Sequence, residues 1–249
     1  MYDLPVLQKW SIRVCSNVVQ IMKCLTGMNF SFMIERRPMS TKIKHQNLPK
    51  ELHTVQHWIF DMDGTLTHAI HDFAGIKRTL GLPPEPSILE SIATYPAEEA
   101  KRLHQELQDL EWDLAHQATP QPGAMELLEA LAAQGAKLGI LTRNSRKNAL
   151  ATLKVCNFLQ FFEEPVILGR DSAPAKPEPD GILQIVEHWG AEPSQAAMVG
   201  DYLYDLQAGK NAGATTVYID IPRALTWQEW ADVTVHHLDA LLQQIISSR

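Results

Sequence analysis

From about His53 onward, short apolar runs alternate with amphipathic stretches. Val55–Phe60 is an apolar run ending in Asp61-Met62-Asp63-Gly64, the pattern of a buried strand entering a turn. The same pattern predicts strands at Ala136–Thr142, Val166–Gly169, Ala196–Gly200, Thr215–Ile219 and Val233–His237. Helical spacing fills the intervals at Ala124–Gln134, Ser145–Val155, Asp180–Trp189, Tyr204–Asn211 and Asp239–Ile246. Apolar strands alternating with helices of about ten residues predict βαβ units and an α/β fold. Its core is a parallel, Rossmann-like sheet covered on both faces.

The alternation breaks between Thr67 and about Thr119, where no strand pattern occurs. Phe73, Ile76 and Leu80 share a helical face that ends at Gly81, and Ser87–Ala93 forms a second short helix. A third helix is expected from Pro96, with Glu98 and Glu99 favourable at its positive end. Ala100, Leu103, Leu107, Leu110 and Leu114 give it one apolar stripe, the packing surface of a small helical bundle. The organisation expected is therefore a core of residues 51–66 and 120–249, an inserted helical cap of residues 67–119, and a basic extension, residues 1–50.

Composition narrows the class. Of 249 residues, 45% are apolar and 20% charged, which is globular and not disordered. The net charge of −7 argues against a general nucleic-acid binder, and the apolar runs are too short for a membrane span. Three cysteines without a CxxC pair argue against a disulfide framework and fit a reducing, cytoplasmic compartment. Residues 1–50 hold eight basic and two acidic residues, so the remainder carries −13. That basic stretch is expected to be an extension, with translation starting at Met39.

The chemistry concentrates at strand ends. Asp61-Met62-Asp63-Gly64-Thr65 follows the first strand, and four fixed residue types at that spacing arise by chance at about one start position in 10⁵. In a parallel sheet, ligands bind beyond the carboxyl ends of the strands. Asp61 and Asp63 are placed there. Gly64 allows a tight bend and is expected to leave main-chain N–H groups open to an anion. Asp201 ends a later strand, and Asp205 lies one helical turn on. Four carboxylates around one crevice repel one another unless a cation or a proton is present, and an oxygen-only set favours Mg²⁺ over zinc. Thr142-Arg143-Asn144 lies where a strand gives way to a helix, with hydroxyl and N–H donors for a phosphate oxygen. Lys176, in a proline-stiffened loop, offers an ammonium. Taken alone, Thr142 would be a helix cap and Lys176 a surface lysine.

Together these residues resemble the haloacid dehalogenase superfamily of phosphatases, over about residues 55–249. Asp61-Met62-Asp63-Gly64-Thr65 matches the first family motif, Thr142 the second, Lys176 the third, and Gly200-Asp201 through Asp205 the fourth. The insertion after the first motif, with Gly169-Arg170-Asp171 and Lys176-Pro177, is similar to the phosphoglycolate-phosphatase-like branch.

The resemblance implies a Mg²⁺-dependent phosphatase acting on a small phosphorylated metabolite through an aspartyl-phosphate. Asp61 would be the nucleophile and Asp63 the general acid and base. Gly64, Thr142, Arg143, Asn144 and Lys176 would cradle the phosphoryl group. Asp61, the Asp63 main-chain carbonyl and Asp201 would hold the metal, with Asp205 supporting Lys176 or a metal-bound water. Four carboxylates, Mg²⁺ and Lys176 leave −1 before a dianionic phosphate arrives, and a proton held by Asp63 supplies the balance. A phosphomutase of the same superfamily is the alternative, followed by a binding protein on the same scaffold. The protein is expected to be a monomer or homodimer without nucleic-acid or membrane partners. His68 and His71, where the chain enters the cap, are read as hinge or surface residues, with contact to substrate as the alternative, and Lys77, Arg78, Lys101 and Arg102 as a solvated face. Trp227, Trp230, His236 and His237 are read as packing near the last strand, and Cys156 as a core thiol.

Overall fold

A computed structural model describes Leu52 and residues 55–247 of the chain. The expectations for residues 1–50, a basic extension and a start at Met39, lie outside the described residues. In chain order the elements begin with β1 (His57–Phe60), α1 (Phe73–Leu80), α2 (Ile88–Ile92), α3 (Ala97–Ala115), α4 (Ala124–Ala133) and β2 (Lys137–Leu141). They continue with α5 (Arg146–Val155), β3 (Ile167–Leu168), α6 (Asp180–Trp189), β4 (Ala196–Gly200), α7 (Leu203–Ala212), β5 (Thr215–Ile219), β6 (Val233–Val235) and α8 (Leu238–Ser247). The strands form one sheet in the order β3-β2-β1-β4-β5-β6, every pair parallel.

Both faces of the sheet are buried, and the strand sequences show why. Trp58 and Phe60 of β1 point into a cluster with Leu127, Leu128 and Leu131 of α4, Leu153 of α5 and Leu241 of α8. Ile59, between them, faces the opposite cluster, with Ile182, Ile185 and Val186 of α6 and Ala208 of α7. Successive strand side chains point to opposite faces, so a sheet covered on both sides needs uninterrupted apolar strands. β1 and β4 are central, and their register pairs Phe60 with Val199. This brings the segments that follow both strands to the same edge of the sheet.

The outer strands are shorter than the apolar runs. β3 keeps two residues because Val166 closes the 3₁₀ turn Glu164–Val166, its N–H donating to the Glu163 carbonyl at 3.1 Å, and the Gly169 N–H donates to Ser172 Oγ at 3.2 Å. The helix predicted from Ser145 forms as expected. Thr142 caps no helix; α5 begins at Arg146, and Ser145 is its cap, accepting from the Asn148 N–H at 3.2 Å.

The three helices inserted between β1 and α4 have a cluster of their own, built from Ile76, Leu80, Ile88, Ile92, Leu103 and Leu107. α1 starts at Asp72, whose carboxylate accepts from the Gly75 N–H at 2.8 Å, and stops at Gly81 in the left-handed region. Leu103 and Leu107 of the α3 stripe are buried, and Ala100, Leu110 and Leu114 pack against the same cluster. Cys156 is buried, and burial pushes its thiol up to about 11. No helix among the described residues is long and apolar enough to cross a membrane.

Candidate active site

Asp61 is the first residue beyond β1, held there by its N–H donating to the Val199 carbonyl of β4 at 2.8 Å. Asp201 is the first residue beyond β4. Carboxylate oxygens of Asp61, Asp201 and Asp205 lie within 4.8 Å of one another. Lys176 reaches this group from the loop before α6. Its ammonium lies 2.6 Å from Asp61 Oδ1, 2.5 Å from Asp205 Oδ1 and 2.6 Å from the Leu141 carbonyl oxygen. All three ammonium donors are thus engaged, and the side chain is 2% exposed.

The electrostatics of this cluster are unbalanced. Two buried carboxylates, Asp61 and Asp205, and the half-buried Asp201 face one ammonium. Burial drives the Asp61 carboxyl well above the usual range; Lys176 opposes this, while Asp205 and Asp201 add to it. Asp201 is pushed up to about 7 by burial and then by the Asp205 charge, against a 2.8 Å hydrogen bond donated by Thr65 Oγ1. Burial alone would lower the Lys176 ammonium, but Asp205 and Asp61 outweigh it and hold it above its ordinary value. A divalent cation among hard oxygen donors relieves this repulsion, so the donor set fits such an ion.

Two glycines permit the close approach. A Cβ on Gly64 would stand 2.5 Å from Asp201 Oδ2, and its φ of +97° is one that a side chain resists. A Cβ on Gly200 would stand 2.3 Å from the Asp205 carboxyl carbon. The anion-binding role expected of the Gly64 amide is not what the turn provides. Its N–H donates to the Thr67 carbonyl at 2.9 Å, and those of Thr65, Leu66 and Thr67 all turn back to the Met62 carbonyl. Gly64 matters here for space and for its backbone angle.

Asp63 faces a different neighbourhood from Asp61. Asn144 Nδ2 donates to Asp63 Oδ2 at 3.3 Å. The Asn144 oxygen accepts from the Ser145 N–H at 2.9 Å and from Asn148 Nδ2 at 3.0 Å, which fixes the amide with its nitrogen toward Asp63. Thr142 Oγ1 accepts from the Asn144 N–H at 3.0 Å and lines the same cavity. His71 Nδ1 lies 3.9 Å from Asp63 Oδ1, with its side chain 5% exposed. His71 is therefore not a surface residue, whereas His68 is exposed.

The cavity above these groups measures about 380 Å³, and the inserted helices form its far wall. Arg143 was expected at the phosphate, but its guanidinium joins core to cap. It donates to the Lys176 carbonyl at 2.6 Å, to Glu90 at 2.6 Å and to Ser87 at 3.1 Å, and lies 4.4 Å over the Tyr204 ring. Arg170 makes a second such link, donating from both terminal nitrogens to the Glu111 carboxylate at 3.0 and 2.7 Å. Neither Glu90 nor Glu111 stands out in the sequence, since each is one acid on an amphipathic helix. Arg78, Lys101 and Arg102 are exposed, as expected of a solvated face, and the half-buried Lys77 donates from its ammonium to the carbonyls of Pro84 and Pro86. Trp227 leaves the last strand and meets Tyr202 edge-on at 5.7 Å.

A family model described as haloacid dehalogenase-like hydrolase matches residues 55–213. A haloacid dehalogenase-like hydrolase domain-containing protein of Arabidopsis thaliana is 34% identical, covering 65% of this chain and 69% of that protein. A phosphoglycolate phosphatase of Escherichia coli O157:H7 is 33% identical over 63% of this chain and 60% of its own length. A solved structure of a hydrolase from Pseudomonas syringae superposes with a TM-score of 0.66 at 26% identity, covering 77% of this chain and 99% of that one. The chain belongs to the haloacid dehalogenase-like hydrolases.

Proposed function

We propose that this protein is a cytoplasmic, Mg²⁺-dependent phosphatase that hydrolyses a small phosphomonoester through a phosphorylated Asp61. The observation that carries this reading is the pairing of Asp61 with Lys176 at 2.6 Å, beside Asp201, at the carboxyl edge of a parallel sheet.

Asp61 attacks phosphorus; the new bond joins its oxygen to phosphorus, and the ester P–O bond breaks. Asp63 gives its proton to the departing alkoxide, then takes one from the water that attacks the acyl-phosphate. Inorganic phosphate leaves and Asp61 is restored. Asn144 orients the Asp63 carboxylate for this double duty. Lys176 favours the ionised form of Asp61, holds it in place and offers positive charge to the phosphoryl oxygens, while Asp205 holds Lys176. Thr142 offers its hydroxyl proton to the phosphoryl group.

Asp61, the main-chain carbonyl of Asp63, and Asp201 would hold Mg²⁺. When bound, the ion supplies positive charge that offsets the buried carboxylates and the phosphate. Without such a charge, burial and neighbouring acids work against the ionised Asp61 that nucleophilic attack requires.

The test is phosphate release from a panel of small phosphomonoesters with Mg²⁺ and with a chelator. Mg²⁺-dependent release from the wild type, absent in Asp61→Asn, supports the reading. Isomer formation from a hexose phosphate without phosphate release would replace it with a phosphomutase.

A further inference from the structure

The part of the cavity away from Asp61 has a chemistry of its own. Its cations are already matched. Arg143 is paired with Glu90 at 2.6 Å, and Arg170 with Glu111 at 2.7 Å, both partners of the latter pair being 9% exposed. Lys77 is tied to two carbonyls, with Glu85 in the same lining. Two of the three cations that line this half thus meet a carboxylate and the third donates to two carbonyls, so a second anionic group on a substrate would have to displace one of these contacts.

The rest of the surface there is apolar and aromatic. Phe73, the first residue of α1, and Tyr202, beside Asp201, both line the cavity, yet they are 58% and 50% exposed. Each ring is backed by neighbours. His71 stacks with Phe73 at 5.5 Å and 13°, while Tyr204 and Trp227 meet Tyr202 edge-on at 5.2 and 5.7 Å. Ile88 and Leu89 of the cap line the same space. Supported, half-exposed rings in a concave site gain by covering a flat ligand face, and a cavity of about 380 Å³ is large enough for a ring beyond the phosphate.

We propose that the preferred substrate is a phosphomonoester whose alcohol part is uncharged and carries a planar ring, held against Phe73 and Tyr202. This rests on the phosphatase reading above and goes beyond it, because it sets the leaving group apart from the carboxylate of phosphoglycolate.

The experiment measures kcat/KM of the full chain with Mg²⁺ on benzyl phosphate, methyl phosphate and 2-phosphoglycolate. Benzyl phosphate should exceed phosphoglycolate about tenfold or more. Phe73→Ala and Tyr202→Ala should each lower the benzyl-to-methyl ratio about fivefold or more, chiefly through KM, as lost ring stacking does. Should Tyr202→Ala fail to fold, Phe73→Ala on the exposed start of α1 carries the same comparison. Preference for phosphoglycolate overturns the proposal and leaves the phosphatase intact. So does an unchanged benzyl-to-methyl ratio in the folded variants. Absence of phosphate release from all three esters overturns the phosphatase reading and this proposal with it.

Discussion

Lys176 Nζ stands 2.6 Å from Asp61 Oδ1, although 115 residues separate the two along the chain. The lysine is shut off from water, and its remaining donors are spent on Asp205 and the Leu141 carbonyl. The ammonium therefore serves both as a structural clamp and as the fixed positive charge beside the proposed nucleophile.

Replacing Asp61 with Asn removes the oxygen that would carry phosphate while keeping the side-chain volume. Turnover should fall at least about 10³-fold. The circular dichroism spectrum should stay that of the wild type. Near-normal phosphate release from this variant would remove Asp61 from the reaction.

Lys176→Met leaves the buried carboxylates of Asp61 and Asp205 without their ammonium. Breaking a buried pair in this way costs about 3–5 kcal/mol. Adding Asp205→Asn to the same protein should recover a sizeable part, because one uncompensated charge is gone. Urea denaturation of the single and double variants checks this, and equal stability of the two would contradict it.

Mg²⁺ should raise the melting temperature of the wild type relative to a chelator-treated sample, because binding to the folded form alone stabilises it. Asp201→Asn should lose most of that rise. Gly64→Ala should lose it too, since its Cβ would press on the Asp201 carboxylate. Thermal melts at several Mg²⁺ concentrations give the comparison.

Acid sensitivity should trace in part to Asp232. Burial would raise its carboxyl, but Lys210 and hydrogen bonds from the Thr216 N–H and Oγ1, at 2.8 and 2.9 Å, prevail and hold it below its usual value. A depressed carboxyl contributes stability above its unfolded pKa, near 4, and loses it as pH falls through the folded value. Asp232→Asn should thus cost about 1 kcal/mol at pH 7. The gap to wild type should narrow below about pH 4. Denaturation at both pH values decides it.

Arg143→Leu removes the guanidinium that ties the Lys176 loop to Glu90 and Ser87 of the cap. The cap should open more readily, seen as faster proteolysis within residues 67–119, and KM should rise more than kcat falls. A protection pattern identical to wild type would show that Arg143 does not hold the cap.

Much of the fold was legible because its signals are local. The apolar strands, the helices between them and the stripe of Leu103 and Leu107 follow from side-chain periodicity. Asp61 and Asp63 could be placed at a strand end because strand, turn and acids are contiguous. Thr142 and Lys176 were weaker signals, each an ordinary residue in its own segment. The outer strand β3 is shorter than its apolar run, because apolar character alone does not show that the N–H groups of Val166 and Gly169 turn to Glu163 and Ser172.

The sequence by itself determined the parallel α/β core, the helical insertion and the acidic residues at two strand ends, since periodicity and adjacent motifs are encoded along the chain. Only the tertiary structure decided which charges meet. It placed Lys176 between Asp61 and Asp205, turned Arg143 from phosphate to Glu90, paired Arg170 with Glu111, and closed the Gly64 amide onto Thr67. These partners lie far apart or depend on a turn's geometry. Coulomb and hydrogen-bond energies depend on distance in space, which strand order and cap position set and no local pattern records.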